Sequence, residues 1–163
     1  LFCQMTEQEQ AEKTYHNILN LVWEFLTVKG AKINFENQLE KLEEIIPDVN
    51  DYDFFGVVPA LDACEALGEL LHAIIAGETL EKAIQISQIS LGTVCSLLET
   101  QEDRDLSETE LKSREEIEEE LDLQWQIYRL LKDCEKRDID LILSLRNEIK
   151  QEGISNIGIK IEQ

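Results

Sequence analysis

The sequence predicts an all-α protein: a single-domain helical bundle of about five to six helices over residues 1–163, with an extended C-terminal tail. Apolar residues recur at steps of three and four along most of the chain, which is the spacing of one helix face. Only two prolines and seven glycines interrupt its 163 residues. Glu, Leu, Ile, Ala, Gln and Lys dominate the composition and favour helix. A chain of this length buries enough surface to form a core without metal or disulfide.

The first helix is predicted over residues 6–28. Thr6 and Glu9 have the spacing of a capping box, in which each residue satisfies a backbone N–H of the other. An apolar face follows at helical spacing, and Gly30 provides the usual helix stop.

Three further helices are predicted in the first hundred residues. The second spans residues 34–46 and ends before Pro47. The third spans residues 58–76 and is apolar almost all round, which is typical of a helix at the centre of a bundle. The fourth spans residues 80–100.

Residues 101–114 are predicted to form a charged connection. Within it, Ser107 and Glu110 have capping-box spacing and indicate one helical turn. A long helical pattern then covers residues 115–151. Residues 135–139 are almost wholly charged, so a kink or break is expected there. The pattern alone leaves open whether the segment is one helix or two.

The tail, residues 154–163, alternates isoleucine with small or polar residues and is predicted to be extended. Two interpretations remain open. The tail either adds a strand to the sheet edge of a partner protein or folds back along the bundle.

The charge balance excludes two classes of partner. Lys and Arg number 15 against 35 Asp and Glu, giving a formal net charge of −20. Such a charge opposes the phosphate neutralisation on which nucleic-acid binding depends, and it opposes docking on an anionic membrane. No apolar run is long enough to span a bilayer. The four cysteines have no paired spacing, which favours reduced thiols and a cytoplasmic location.

Several short stretches point to a known family. They are LTVK (26–29), AK (31–32), QLEK (38–41), PA (59–60), DAC (62–64), GETLE (77–81) and SNIGI (155–159). Together they resemble the bacterial YjaG-like family, domain of unknown function 416, over nearly the whole chain from Phe2. The resemblance implies an all-helical cytoplasmic protein with no assigned activity, so no functional residues transfer. It also implies a further helical segment upstream of Phe2, without which one apolar groove would be left open.

One polar stripe on the third helix is a candidate metal site. Asp62, Glu65, Glu69 and His72 are spaced three, four and three, and fall within about 80° of arc. Glu69 and His72 have the Glu-x-x-His spacing of di-iron carboxylate bundles. Buried carboxylates require a cation or hydrogen-bond donors, so the stripe predicts a divalent metal ligand set.

Two other interpretations of this stripe stay open. It is either the solvent-facing side of an amphipathic helix or a buried polar network. A di-iron site needs a second Glu-x-x-His pair, yet the only other histidine, His16, is preceded at three residues by Lys13. Elsewhere, Trp23, Trp125 and Tyr128 either form a binding surface or pack at the core or its edge.

The acidic side chains offer no evident reaction centre, which favours a non-catalytic protein-interaction module that binds another protein or itself. No cofactor is expected on this interpretation. The alternative is a metal-binding protein or metal-dependent enzyme that uses Asp62, Glu65, Glu69 and His72.

Overall fold

The computed structural model describes residues 2–134, 136–152 and 155–159. Helices are the regular elements among these residues, which form no strand. They form α1 (Phe2–Met5), α2 (Glu9–Thr27), α3 (Phe35–Glu43), a 3₁₀ helix (Val49–Asp51), α4 (Val57–Ala76), α5 (Thr79–Glu102), α6 (Glu108–Leu111), α7 (Glu115–Leu131) and α8 (Ile139–Glu152). The all-α class is confirmed. The predicted number of five to six helices is too low for the described residues, which contain eight α-helices, because the four-residue helices α1 and α6 are added to six longer ones.

Contacts within the chain separate it into two compact units, residues 1–89 and residues 90–163. The boundary falls inside α5. The prediction of a single domain stays a prediction.

The start of the first long helix differs from the prediction. Thr6 does not form the expected capping box, because its Oγ1 donates to the carbonyl oxygen of Phe2 at 2.9 Å. That bond lies at the end of α1. The long helix α2 then begins at Glu9, and the residue before it, Gln8, makes no side-chain cap.

The first unit is built around α4. Cys64, Leu67 and Leu71 of α4 are buried in one cluster together with residues of α2 and α3, namely Ile18, Val22, Phe35 and Leu42. Leu71 has no exposed surface at all. Burying an aliphatic side chain of this size contributes about 1.5–3 kcal/mol, so this cluster stabilises the unit. The prediction that this helix is central is confirmed within the first unit.

The second unit has a smaller core. Val94 and Leu98 of α5, Leu106 of the connection and Ile117 of α7 are buried together. The predicted helical turn in the connection is confirmed as α6, with Ser107 and Glu110 forming a complete capping box.

The expected break in the long final pattern is also confirmed. Helix α7 ends at Leu131 and α8 begins at Ile139. Asp138 contributes to the second start, because its Oδ1 accepts a hydrogen bond from the backbone N–H of Leu141 at 3.0 Å. A side-chain acceptor at this position satisfies one of the N–H groups that a helix start leaves without a partner.

The described part of the tail, residues 155–159, is a tight turn and not the predicted extended segment. The N–H of Ser155 donates to the carbonyl oxygen of Ile159, and the N–H of Gly158 donates to that of Ser155, both at 2.9 Å. Gly158 has a φ of 75°, which a residue without Cβ adopts readily. Residue 154 and residues 160–163, which complete the predicted tail, lie outside the described residues.

Candidate functional site

The four predicted metal-ligating residues all lie on α4, but they differ in exposure. Glu65 and His72 are exposed, whereas Asp62 and Glu69 are half-buried. The exposed pair fits the interpretation as a solvent-facing stripe. Glu69 does not fit that interpretation in the same way, because its half-buried carboxylate needs a compensating partner.

That partner is Lys82 of α5. Its Nζ lies 2.5 Å from Oε2 of Glu69, and the two side chains are 22% and 27% exposed. The distance fits an ion pair, although the angles do not fit a hydrogen bond. Lys82 lies 13 positions after Glu69, beyond the end of α4, so helical periodicity could not have paired them.

The ion pair bears on the metal interpretation. A metal at Glu69 would have to displace the ammonium group of Lys82. Across residues 2–134, 136–152 and 155–159, no group of three or more His, Cys, Asp or Glu side chains is placed to hold a metal ion. A divalent metal bound by Asp62, Glu65, Glu69 and His72 stays a prediction.

Three of these four residues line a groove in the first unit. The groove has a volume of about 650 Å³ and lies among α3, α4 and α5. Its polar lining includes Glu65, Glu69, His72, Glu43 and Gln85, whereas Asp62 lies outside it. Its apolar lining includes Leu39, Leu42, Ile46 and Ile89.

The groove contains an acceptor without a donor. Oε1 of Gln85 is buried and makes no hydrogen bond within the described residues. An unsatisfied buried acceptor is unfavourable, since the oxygen has lost its water without gaining a partner.

The thiol of Cys64 also lines the groove. Burial raises its pKa to about 11, with smaller contributions from Cys3 and Glu65. The thiolate is the nucleophilic form of cysteine, so at neutral pH this group is inert.

A second candidate surface lies on α7 in the second unit. Leu121, Trp125 and Tyr128 follow one another at steps of four and three, and are 39%, 54% and 56% exposed. These three residues are called the α7 face below. The rings of Trp125 and Tyr128 meet edge to face, with centroids 5.5 Å apart. The guanidinium carbon of Arg129 lies 5.8 Å from the Trp125 ring, a cation–π contact.

The sequence suggested a possible surface of Trp23, Trp125 and Tyr128. The structure brings Trp125 and Tyr128 together on α7, whereas Trp23 is half-buried on α2 of the first unit.

A buried carboxylate in the second unit was not predicted from the sequence. Glu120 of α7 is 5% exposed. Its Oε1 accepts hydrogen bonds from Oγ of Ser90 at 2.7 Å and from Nε2 of Gln124 at 2.6 Å. The sequence did contain an indication of this burial, because Glu120 lies three positions after the apolar Ile117 and shares its helix face.

The tail turn is attached to this network. Nδ2 of Asn156 donates to the carbonyl oxygen of Ser90 at 3.1 Å and lies 3.0 Å from its Oγ. Ile157 packs against the core of the second unit. The described tail residues therefore fold back on their own unit, which was one of the two interpretations left open by the sequence.

No helix within the described residues is long and apolar enough to cross a membrane.

A family model described as a protein of unknown function, DUF416, matches residues 1–160. The chain belongs to this family. The resemblance found in the sequence is confirmed, and because the DUF416 description assigns no activity, it assigns no functional residues either.

Curated relatives and a solved structure agree with this assignment. An uncharacterised protein of Haemophilus influenzae is 74% identical over 163 residues, covering 100% of this chain and 83% of that protein. The uncharacterised protein YjaG of Escherichia coli is 51% identical with the same coverage. A crystal structure of a DUF416 family protein from Shewanella baltica is 34% identical and has a TM-score of 0.83, covering 91% of this chain and 77% of that one.

Proposed function

We propose that this DUF416 protein is a non-catalytic protein-interaction module whose α7 face binds a second copy of the chain. The observation that supports this is the exposure of Leu121, Trp125 and Tyr128 on one side of one helix. Trp, Tyr and Arg are the residues most enriched among those that dominate binding energy at interfaces, and here Arg129 lies beside the Trp125 ring. Rigid aromatic side chains also lose little conformational entropy on binding.

The charges that flank the α7 face favour a second copy as the partner. Glu118 lies three positions before Leu121, and Lys132 lies four positions after Tyr128. All five positions share one helix face. In an antiparallel pair centred on Trp125, Glu118 of each copy would lie opposite Lys132 of the other, and the helix dipoles would also be opposed. Within the described residues, Lys132 has only a 3.9 Å contact with the adjacent Asp133.

A cytoplasmic location belongs to the same proposal. Cys3, Cys64, Cys95 and Cys134 are all free thiols. Free thiols are maintained by the reducing conditions of the cytosol.

The first test is Trp125→Asp, measured by light scattering during size exclusion. We expect the wild-type protein to form a dimer with rising concentration and the variant to remain a monomer, because a carboxylate replaces the apolar centre of the interface. The matched control is Leu80→Asp, which alters an apolar side chain that is 76% exposed on α5, in the first unit, and that is not a member of the α7 face. It should dimerise like the wild type. A wild-type protein that is monomeric at all concentrations, or an equal effect of both substitutions, would contradict the proposal.

The second test exchanges the flanking charges. Glu118→Lys and Lys132→Glu should each weaken the dimer, because each places like charges opposite one another. The double variant should recover the wild-type association, since it restores opposite charges in reversed order. A double variant that is weaker than either single one would rule out the antiparallel arrangement.

A further inference from the structure

We propose that the groove among α3, α4 and α5 is a binding site for a linear aliphatic diamine or polyamine. This site lies in the first unit, whereas the α7 face lies in the second, so the inference goes beyond self-association and does not depend on it.

The shape and apolar lining of the groove suit a small extended molecule. Its volume of about 650 Å³ falls within the roughly 300–1,000 Å³ that is usual for small-molecule sites. Leu39 contributes apolar surface from α3, Ile46 from the segment that follows α3, and Ile89 from α5. A chain of methylene groups lying on these side chains would be removed from contact with water, which is favourable for apolar surface.

The charge of the lining favours a cation. Glu43 and Glu65 have no ion-pair partner within the described residues, and Lys82 compensates only Glu69. Glu65 lies one helical turn from the Glu69–Lys82 pair on α4. An ammonium group beside Glu65 would supply a counter-charge for its carboxylate. The net charge of −20 also raises the local concentration of polycations.

The hydrogen-bonding capacity of the lining favours an amine in particular. Oε1 of Gln85 is a buried acceptor that receives no hydrogen bond from the described residues, and the carboxylates of Glu43 and Glu65 are acceptors only. An ammonium group offers three N–H donors and no acceptor, so it matches the two exposed carboxylates directly. A rotation of the Gln85 side chain would bring its Oε1 to the groove surface as a further acceptor. A molecule with two ammonium groups separated by methylenes would engage the acceptors with its ends and the aliphatic side chains with its middle.

The ligand is tested by calorimetric titration with 1,6-diaminohexane, at an ionic strength of about 0.15 M to screen diffuse attraction. The matched probe is 1,6-hexanediol, which has the same chain without the charges. We expect saturable binding of one diamine per chain and no detectable binding of the diol. Failure of the diamine to bind at millimolar concentration, or equal binding of the diol, would overturn the proposal.

The location is tested by substitution. Glu65→Gln and Glu43→Gln should each weaken diamine binding about tenfold, because each removes a charge-assisted hydrogen bond. The matched control is Glu40→Gln, which makes the same charge change at an exposed position of α3 outside the groove lining. It should bind like the wild type. If Glu40→Gln weakens binding as much as Glu43→Gln, the attraction is diffuse and the groove is not the site.

The two proposals fail separately. If the diamine fails to bind, the proposed dimer of the wild-type protein is unaffected. If dimerisation depends on the α7 face, the variant Trp125→Asp should still bind the diamine normally.

Discussion

At the scale of single residues, Glu120 shows how a charge becomes part of a core. A buried carboxylate is costly unless donors replace its water. Here Ser90 and Gln124 both donate to Oε1 of Glu120. Gln124 is one helical turn away, so its position follows from the sequence. Ser90 is 30 positions away on another helix, and only the folded chain brings it within hydrogen-bonding distance.

Two glycines in helical regions have opposite roles, and substitution by alanine separates them. Gly77 ends α4 with a φ of 75°, a conformation that strains any residue with a Cβ. Gly92 lies inside α5, and a Cβ added there meets no heavy atom of the described residues within 4 Å beyond the adjacent turns of its own helix. We expect Gly77→Ala to lower the free energy of unfolding by about 1 kcal/mol and Gly92→Ala to raise it by a similar amount.

Urea denaturation of both variants measures the difference, and each variant serves as the control for the other. The result that would contradict the argument is a change of the same sign in both, because the two positions differ in backbone conformation and not in the substitution itself.

At the scale of single elements, α6 shows how far local interactions determine structure. The N–H of Ser107 donates to Oε2 of Glu110 at 2.9 Å, and the N–H of Glu110 faces Oγ of Ser107 at 3.4 Å. Both partners lie within one turn, so sequence spacing alone predicted the element. The start of α2 was mispredicted from the same signal, because Thr6 bonds backwards to Phe2.

The carboxyl group of Glu110 should titrate far below the usual range for glutamate. A hydrogen bond from Arg104, followed by those from Ser107, lowers its pKa to about 2. A depressed pKa in the folded state means that this stabilisation is present above the ordinary value of about 4.5 and is lost as the pH falls through about 2. Carbon-detected NMR titration of the side chain measures the midpoint directly.

Arg104→Met should raise the pKa of Glu110, because it removes the largest cause of the shift. Lys112→Met is the matched control, since it removes a nearby cation that pairs with Glu108 instead. An ordinary midpoint in the wild-type protein, or equal effects of the two substitutions, would contradict this assignment.

At the scale of the whole molecule, the net charge of −20 opposes compactness. Raising the ionic strength from about 0.01 M to about 0.15 M shortens the screening length from about 30 Å to about 8 Å. We therefore expect the free energy of unfolding to increase with salt. Most ion pairs within the described residues are substantially exposed, so their weakening by salt offsets little of this gain.

The measurement is urea denaturation of Trp125→Asp, in which the proposed self-association should not contribute. Sodium chloride and potassium chloride at equal ionic strength should act alike, because screening does not depend on ion identity. A free energy that falls with salt would mean that ion pairs outweigh the general repulsion.

How much the sequence could predict depends on the distance between interacting residues. Spacing or capping within a few positions predicted the helix class, the central apolar helix, the turn at Ser107 and the break before Asp138. The ends of the chain were less predictable. The isoleucine alternation predicted an extended tail. The turn that forms instead is attached through Asn156 to Ser90, 66 positions earlier, and a contact over that distance leaves no local pattern in the sequence.

The sequence by itself determined that this protein is helical, strongly acidic and a member of a family without assigned activity, because propensity, charge and motif are properties of neighbouring residues. The tertiary structure alone decided which polar groups found partners. It paired Glu69 with Lys82, enclosed Glu120, and buried Oε1 of Gln85 without a donor among the described residues. It also decided that the α7 face remains exposed, since whether an apolar stripe is covered depends on where the rest of the chain folds.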